Sequence, residues 1–224
     1  VLLETLESIP RNFDAAKLFY NDEVVPIFEI ALPMTTDARE LIRISQYYKQ
    51  HVVGKQHSKL HDMTIAEWIG HFKPESLRII PLIETKENIL SPEKIVENYV
   101  THEKIEGYQR VWLARSDPAL NYGNLATVLM LKISFQKLHE LQKELAIDIL
   151  PILGCGSAPF RGNFKPTNIK NCINGYPSVH TFTLQSAFKY DYSIHDVTKA
   201  VKFLNESKAS KPVSVDENKL TPII

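Results

Sequence analysis

The sequence predicts an α/β chain in which parallel strands alternate with helices. Three observations predict it: short β-rich apolar runs recur along the chain, each closes on a polar or glycine-bearing tip, and helical patterns fill the intervals. The runs are 24–34 (VVPIFEIALPM), 77–84 (LRIIPLIE), 110–117 (RVWLARSD), 148–156 (DILPILGCG) and 180–186 (HTFTLQS). The first four are nearly continuous in apolar residues rather than alternating. That pattern suits strands covered on both faces, as in a parallel sheet flanked by helices.

The helical patterns come next. Residues 37–53 carry Leu41, Ile42 and Ile44 near their start. Residues 92–106 open with Ser91 as N-cap, Pro92 at the first helical position and Glu93 in the first turn. Residues 121–146 form the longest pattern, with Leu125, Val128, Leu129, Ile133, Leu138, Leu141 and Leu145 mostly three or four apart. Residues 193–204 carry Ile194, Val197, Val201 and Leu204. Pro26, Pro33, Pro81 and Pro151 fall inside the apolar runs, where a missing ladder donor argues for bulges or interruptions. The segment 55–73, with His57, His61 and His71, reads as an irregular or helical insertion, and the polar stretch 207–224 as a surface linker.

Composition narrows the function. Twenty-six basic and 26 acidic residues give a formal net charge of zero, so no nucleic-acid partner is expected. No run approaches the ~20 apolar residues of a membrane span, so no membrane partner is expected either. Cys155 and Cys172 lack metal-type spacing and read as two thiols in a reducing, cytoplasmic compartment. His57 and His61 stand four apart, but HSKLH lacks the glutamate of a zinc-protease helix and reads as solvated surface. The first residues, VLLETLESIP, lack the basic and apolar regions of a signal peptide and an initiator methionine, which suggests a chain whose natural beginning lies upstream.

In a parallel βα architecture the reactive groups gather at the carboxyl ends of the strands. There the second run ends in Glu84 and the third in Arg115, Ser116 and Asp117. The fourth ends in Gly154, Cys155, Gly156 and Ser157, followed by Arg161, and the fifth in Gln185 and Ser186. Two carboxylates from neighbouring strand ends supply hard oxygen ligands for Mg²⁺ or Mn²⁺. A glycine turn brings backbone N–H groups close to an anion, and an arginine grips a carboxylate or phosphate through paired donors. Together these suit a small phosphorylated or carboxylated acid whose enolate must be stabilised. Taken singly, each residue has an ordinary reading: Asp117 before Pro118 can start a helix, Arg161 can be a surface arginine, and Cys155 reads as a packing residue. What singles them out is their place at one end of consecutive strands.

The same residues carry a family resemblance. RIIPLIE (78–84), VWLARSDPALNYG (111–123), ILPILGCGSAPFRG (149–162) and TFTLQSAFKYD (181–191) resemble, in order and rough spacing, consecutive strand-end motifs of archaeal-type phosphoenolpyruvate carboxylase. The resemblance runs from about Glu23 to about Asp191. It implies a (β/α)8 TIM-type barrel, of which about five βα units would be present, so that 1–224 would be a partial catalytic domain. It implies Glu84 and Asp117 as ligands of catalytic Mg²⁺, with Mn²⁺ as an alternative. Gly154, Gly156, Ser157, Arg161 and Gln185 become substrate-binding residues, and Arg161 and Arg115 catalytic ones. The histidine and second arginine that this loop carries in the larger bacterial and plant enzymes have no counterpart here.

The implied activity is Mg²⁺-dependent carboxylation of phosphoenolpyruvate with bicarbonate, giving oxaloacetate and phosphate in anaplerotic carbon dioxide fixation. A cytoplasmic homotetramer is implied for the full-length chain. The family's short His-Pro motif does not occur in these 224 residues, so the chain is expected to be part of a longer polypeptide and inactive alone. Two other readings share the residues: a citrate-lyase-like or aldolase enzyme on the same barrel, and a non-catalytic fragment of such an enzyme.

Overall fold

The computed structural model describes residues 1–224. The chain divides into two compact units, 1–32 with 39–80, and 33–38 with 81–224. The architecture is mixed α/β, with a five-stranded parallel sheet ordered β1-β4-β5-β6-β7. Its strands are β1 (Glu29–Leu32), β4 (Arg78–Ile83), β5 (Tyr108–Ala114), β6 (Asp148–Gly154) and β7 (Thr181–Phe182).

The first unit opens with a helix outside the sequence expectations, α1 (Leu2–Tyr20), which keeps Pro10 inside it. Leu6, Ile9, Pro10 and Phe13 are its buried residues, one stripe at helical spacing. The run 24–34 shrinks to four strand residues because Pro26 and Pro33, which lack an N–H, flank it. Arg78 N–H donates to Phe28 O at 3.1 Å beside that strand. The pattern 37–53 becomes α2 (Ala38–Tyr47), followed by a π-helical turn over Tyr48–Val53. The buried Tyr48 hydroxyl donates to Pro74 O at 2.8 Å.

The segment 55–73 contains an antiparallel hairpin of β2 (Lys59–Leu60) and β3 (Met63–Thr64), then the short α3 (Ile65–Ile69). Thr64 and Glu67 cap α3 reciprocally. His57 ends a 3₁₀ turn, and His61 sits at the hairpin tip with φ 58°. The two histidines therefore share no helix face.

In the second unit the strand ends follow the expected runs closely. The ladder between β4 and β5 begins at Leu82, one residue past Pro81, so that proline's missing donor falls outside the pairs. Pro151 lies inside β6, opposite Val111 of β5. On its other side β7 starts only at Thr181, opposite Ile152, so the missing N–H again faces no strand partner. β7 is two residues long, against the seven expected.

Four helices, α4 (Lys86–Leu90), α5 (Pro92–Glu103), α6 (Ser116–Tyr122) and α7 (Asn124–Leu145), lead from β4 to β6. Pro92 opens α5 as expected, but the Ser91 hydroxyl donates back to Glu87 O instead of capping the new helix. The long pattern 121–146 is broken at Gly123, whose φ of 85° separates α6 from α7. α7 packs against α4, α5, α6 and β6 and buries Met130, Leu131, Ile133 and Leu138.

After α8 (Ile169–Gly175) and β7 comes α9 (Ile194–Glu206), capped by the Ser193 hydroxyl, which accepts from Asp196 N–H. The stretch expected as a linker is tied down at several points. Val215 N–H donates to Gln136 Oε1 at 2.8 Å, and Lys137 pairs with Glu217 at 2.8 Å at the start of α10 (Glu217–Leu220). No helix is long and apolar enough to cross a membrane.

Candidate functional site

Register places the strand ends in one row. Ile83 pairs with Leu113, Ala114 with Gly154, and Leu153 with Phe182. Glu84, Ala114, Gly154 and Thr183 are therefore neighbours along the carboxyl edge of β4 to β7. All the site residues expected from the sequence lie at or just beyond this row, and all belong to the second unit.

Glu84 is half-buried, and its Oε2 accepts the backbone N–H of Met34 at 2.8 Å. Met34 adopts a left-handed backbone, φ 53°, uncommon for a residue with a side chain. The interaction was not legible in the sequence, because Met34 contributes only its backbone.

Asp117 stands exposed in the first turn of α6, two residues past Arg115. Its Oδ1 lies 3.3 Å from Arg161 Nη2. Arg161 reaches it from the turn after β6, and its Nε is buried without a hydrogen-bond partner. The Arg161 side chain is 39% exposed, so its terminal guanidinium nitrogens, one of them on Asp117, stand where an anion can reach them.

Gly156 explains how the loop brings these groups together. A Cβ at this position would sit 3.0 Å from Arg161 Cβ, 3.1 Å from Ser116 Oγ and 3.2 Å from Gln185 Oε1. Only a residue without a side chain permits three strand ends to converge there. Gly156 N–H donates to Arg161 O at 2.8 Å, and Gly156 O accepts from Phe164 N–H at 2.9 Å. Its N–H thus closes the loop on itself and is not free to meet an anion. Gly154 O accepts Arg115 N–H at 3.1 Å, linking β6 to the start of α6.

Arg115 is buried, 2% exposed. Its Nε donates to Tyr176 Oη at 3.2 Å, its Nη1 to Phe160 O at 2.8 Å, and its Nη2 to Asn124 Oδ1. All three guanidinium nitrogens bond inside the protein, and one of them holds the loop at Phe160, next to Arg161. Tyr176 and Asn124 were not anticipated. The only sequence hint was that a strand-end arginine between Ala114 and Ser116 must find acceptors if it is buried.

Burial, with a smaller contribution from nearby Cys172, pushes the Cys155 thiol up to about 12. Both cysteines are free and buried, so Cys155 is a packing residue at the floor of the loop.

Glu84 and Asp117 are two carboxylates at the ends of neighbouring strands, a donor chemistry that suits a hard divalent cation, and among the described residues no group of three or more His, Cys, Asp or Glu side chains is placed to hold a metal. Two protein carboxylates with the remaining positions left to water and substrate is the pattern of Mg²⁺-type sites.

The family model described as phosphoenolpyruvate carboxylase matches residues 1–224. The chain is 46% identical over 219 residues to the phosphoenolpyruvate carboxylase of Methanospirillum hungatei, covering 97% of this chain and 45% of that protein. It is 45% identical over 217 residues to that of Pyrococcus furiosus, covering 96% and 46%. To that of Methanothermobacter thermautotrophicus it is 43% identical over 225 residues, covering 100% and 46%. The chain therefore spans a little under half the length of these curated relatives. A match over its whole length, at such identity, shows that the chain belongs to the phosphoenolpyruvate carboxylase family.

Proposed function

We propose that this chain carries the cation- and anion-binding part of a phosphoenolpyruvate carboxylase. The enzyme converts phosphoenolpyruvate and bicarbonate to oxaloacetate and phosphate. The observation that carries the reading is the meeting of Asp117, Arg161, Gly156 and Gln185 at one strand-end row that also holds Glu84, in a chain of this family. The sheet is read as part of a (β/α)8 barrel, whose reactive end this row would be.

In the reaction a bicarbonate oxygen attacks phosphorus and the enolate oxygen leaves, giving carboxyphosphate and the enolate of pyruvate. Carboxyphosphate releases CO₂ and phosphate, and the enolate carbon then bonds to CO₂. Negative charge stays high throughout, and a bound Mg²⁺ or Mn²⁺ held by Glu84 and Asp117 supplies charge neutralisation. Arg161 turns from Asp117 to the transferring phosphoryl or carboxyl group, using its terminal guanidinium nitrogens as paired donors. Gln185 and the Ser157 N–H border the same space. Arg115 acts through Phe160 O, holding the loop so that Arg161 does not have to be ordered during the reaction.

A homotetramer in the cytoplasm belongs to the same proposal. The test is oxaloacetate formation by the full-length protein, measured with and without bicarbonate and with and without Mg²⁺. Product that requires both supports the proposal. Turnover of phosphoenolpyruvate without bicarbonate, or no product under any of these conditions, would reject it.

A further inference from the structure

Met34 stands out among the residues around the strand-end row. Its φ of 53° lies in the left-handed region, which is costly for a residue with a Cβ. The other non-glycine residues in that region have ordinary reasons to be there. Asn21, Lys104 and Ala146 close helices, His61 turns the short hairpin, and Asn163 lies in the loop after β6. Met34 closes no helix, and its side chain is 59% exposed, so packing does not hold its backbone in place. A strained backbone without a packing reason points to a function.

What the conformation supplies is one N–H. Met34 N–H donates to Glu84 Oε2 at 2.8 Å. The next residue anchors the turn: Thr35, 1% exposed, donates its N–H to Leu82 O at 3.0 Å. Residues 33–38 and 81–224 form one compact unit, so both bonds lie within it. On the other side of Glu84, Lys86 N–H donates to Tyr122 Oη at 3.4 Å, which ties the same turn to α6, the helix of Asp117. Glu84 Oε1 takes part in no hydrogen bond or ion pair.

We infer that Met34 is a positioning residue that makes Glu84 a one-oxygen cation ligand and so sets which divalent ion the site accepts. The inference rests on the reading of Glu84 as a cation ligand. With Oε2 given to Met34 N–H, the carboxylate offers Oε1. Carboxylates that bind metals are commonly oriented by a further hydrogen bond of this kind. One-oxygen contacts suit Mg²⁺ and Mn²⁺, which take octahedral oxygen sites, whereas the larger Ca²⁺ readily takes both oxygens of a carboxylate. The Met34 N–H therefore favours the smaller ions over Ca²⁺.

The test replaces the Met34 peptide N–H by an ester oxygen in the full-length protein, through incorporation of the α-hydroxy analogue of methionine. Mn²⁺ binding is read by electron paramagnetic resonance of the free ion, alone and in competition with Ca²⁺. The ester is expected to lower the preference for Mn²⁺ over Ca²⁺ about tenfold, the effect of one hydrogen bond to a charged group. Met34→Gly keeps the N–H and admits the same φ, so its preference is expected to match wild type. Glu84→Gln is expected to weaken Mn²⁺ binding about tenfold or more, because it removes a charge from the ligand set. A crystal structure of the wild-type full-length protein with Mn²⁺ needs no variant. It is expected to show Glu84 Oε1 on the ion and Oε2 still on Met34 N–H. An unchanged preference in the ester, an equal shift in Met34→Gly, or both Glu84 oxygens on Mn²⁺ overturns the inference alone. Mn²⁺ binding unaffected by Glu84→Gln, or Mn²⁺ bound away from Glu84 in the crystal, overturns the cation reading of Glu84 as well.

Discussion

Asp117 Oδ1 and Arg161 Nη2 stand 3.3 Å apart, so the acid proposed for the cation and the arginine proposed for the anion neutralise each other when no ligand is bound. Both side chains are substantially exposed, 60% and 39%, so the pair contributes under about 1 kcal/mol to stability. It can open readily when each partner has a ligand. Asp117→Asn is therefore expected to leave thermal unfolding nearly unchanged. Oxaloacetate formation should fall about 100-fold or more, with a raised Mg²⁺ requirement. A large drop in melting temperature, or wild-type turnover, would remove Asp117 from the site.

Arg161→Lys separates charge from geometry. Lysine keeps the positive charge but loses the planar pair of donors. The expected outcome is a KM for phosphoenolpyruvate or bicarbonate raised about tenfold or more, read from steady-state kinetics. An unchanged KM would mean that Arg161 serves only as a surface charge.

Gly156→Ala tests the convergence of the loops. The added methyl would meet Arg161 Cβ at 3.0 Å and Gln185 Oε1 at 3.2 Å. Displacing them is expected to cost about 1–3 kcal/mol, as other overpacked sites do. Thermal unfolding and product formation should both show the loss.

Arg115→Met probes the buried anchor. It leaves Tyr176 Oη, Phe160 O and Asn124 Oδ1 without their donor, at an expected cost of about 2–3 kcal/mol in denaturant unfolding. If Arg115 acts by positioning the loop, the residual enzyme should show a higher KM, and the bound ligand should still contact Arg161 in a crystal structure.

Cys155 gives a pH prediction. The folded thiol is raised to about 12, so it stays protonated where an unfolded thiol ionises. Its contribution to stability is fully present below the ordinary thiol range and is lost as pH rises toward 12. Between about pH 8 and pH 10, wild type should lose more stability than Cys155→Ala, measured by urea unfolding. Native protein at pH 8 should also resist iodoacetamide at this position and react after unfolding.

Much of this was legible because two signals are local. Continuous apolar runs located β4, β5 and β6 to within three residues, since a strand covered on both faces needs apolar residues throughout. The polar tips located Glu84, Asp117 and Arg161, since a chain leaving a sheet must carry groups that meet water or a ligand. The missed elements lack such signals. Pro10 disguised α1, a single glycine split α6 from α7, and the two-residue strands of the hairpin are too short for a period.

The sequence alone determined the strand order along the chain, the identity of the strand-end residues and, through its motifs, the family. Tertiary structure decided which side chains face each other. It paired Asp117 with Arg161, gave Arg115 to Tyr176, Phe160 and Asn124, and turned the Gly156 N–H inward to Arg161 O. These choices join residues as far as 61 positions apart. They follow from register and burial, because a guanidinium or N–H taken out of water bonds whichever acceptor the packing places within reach.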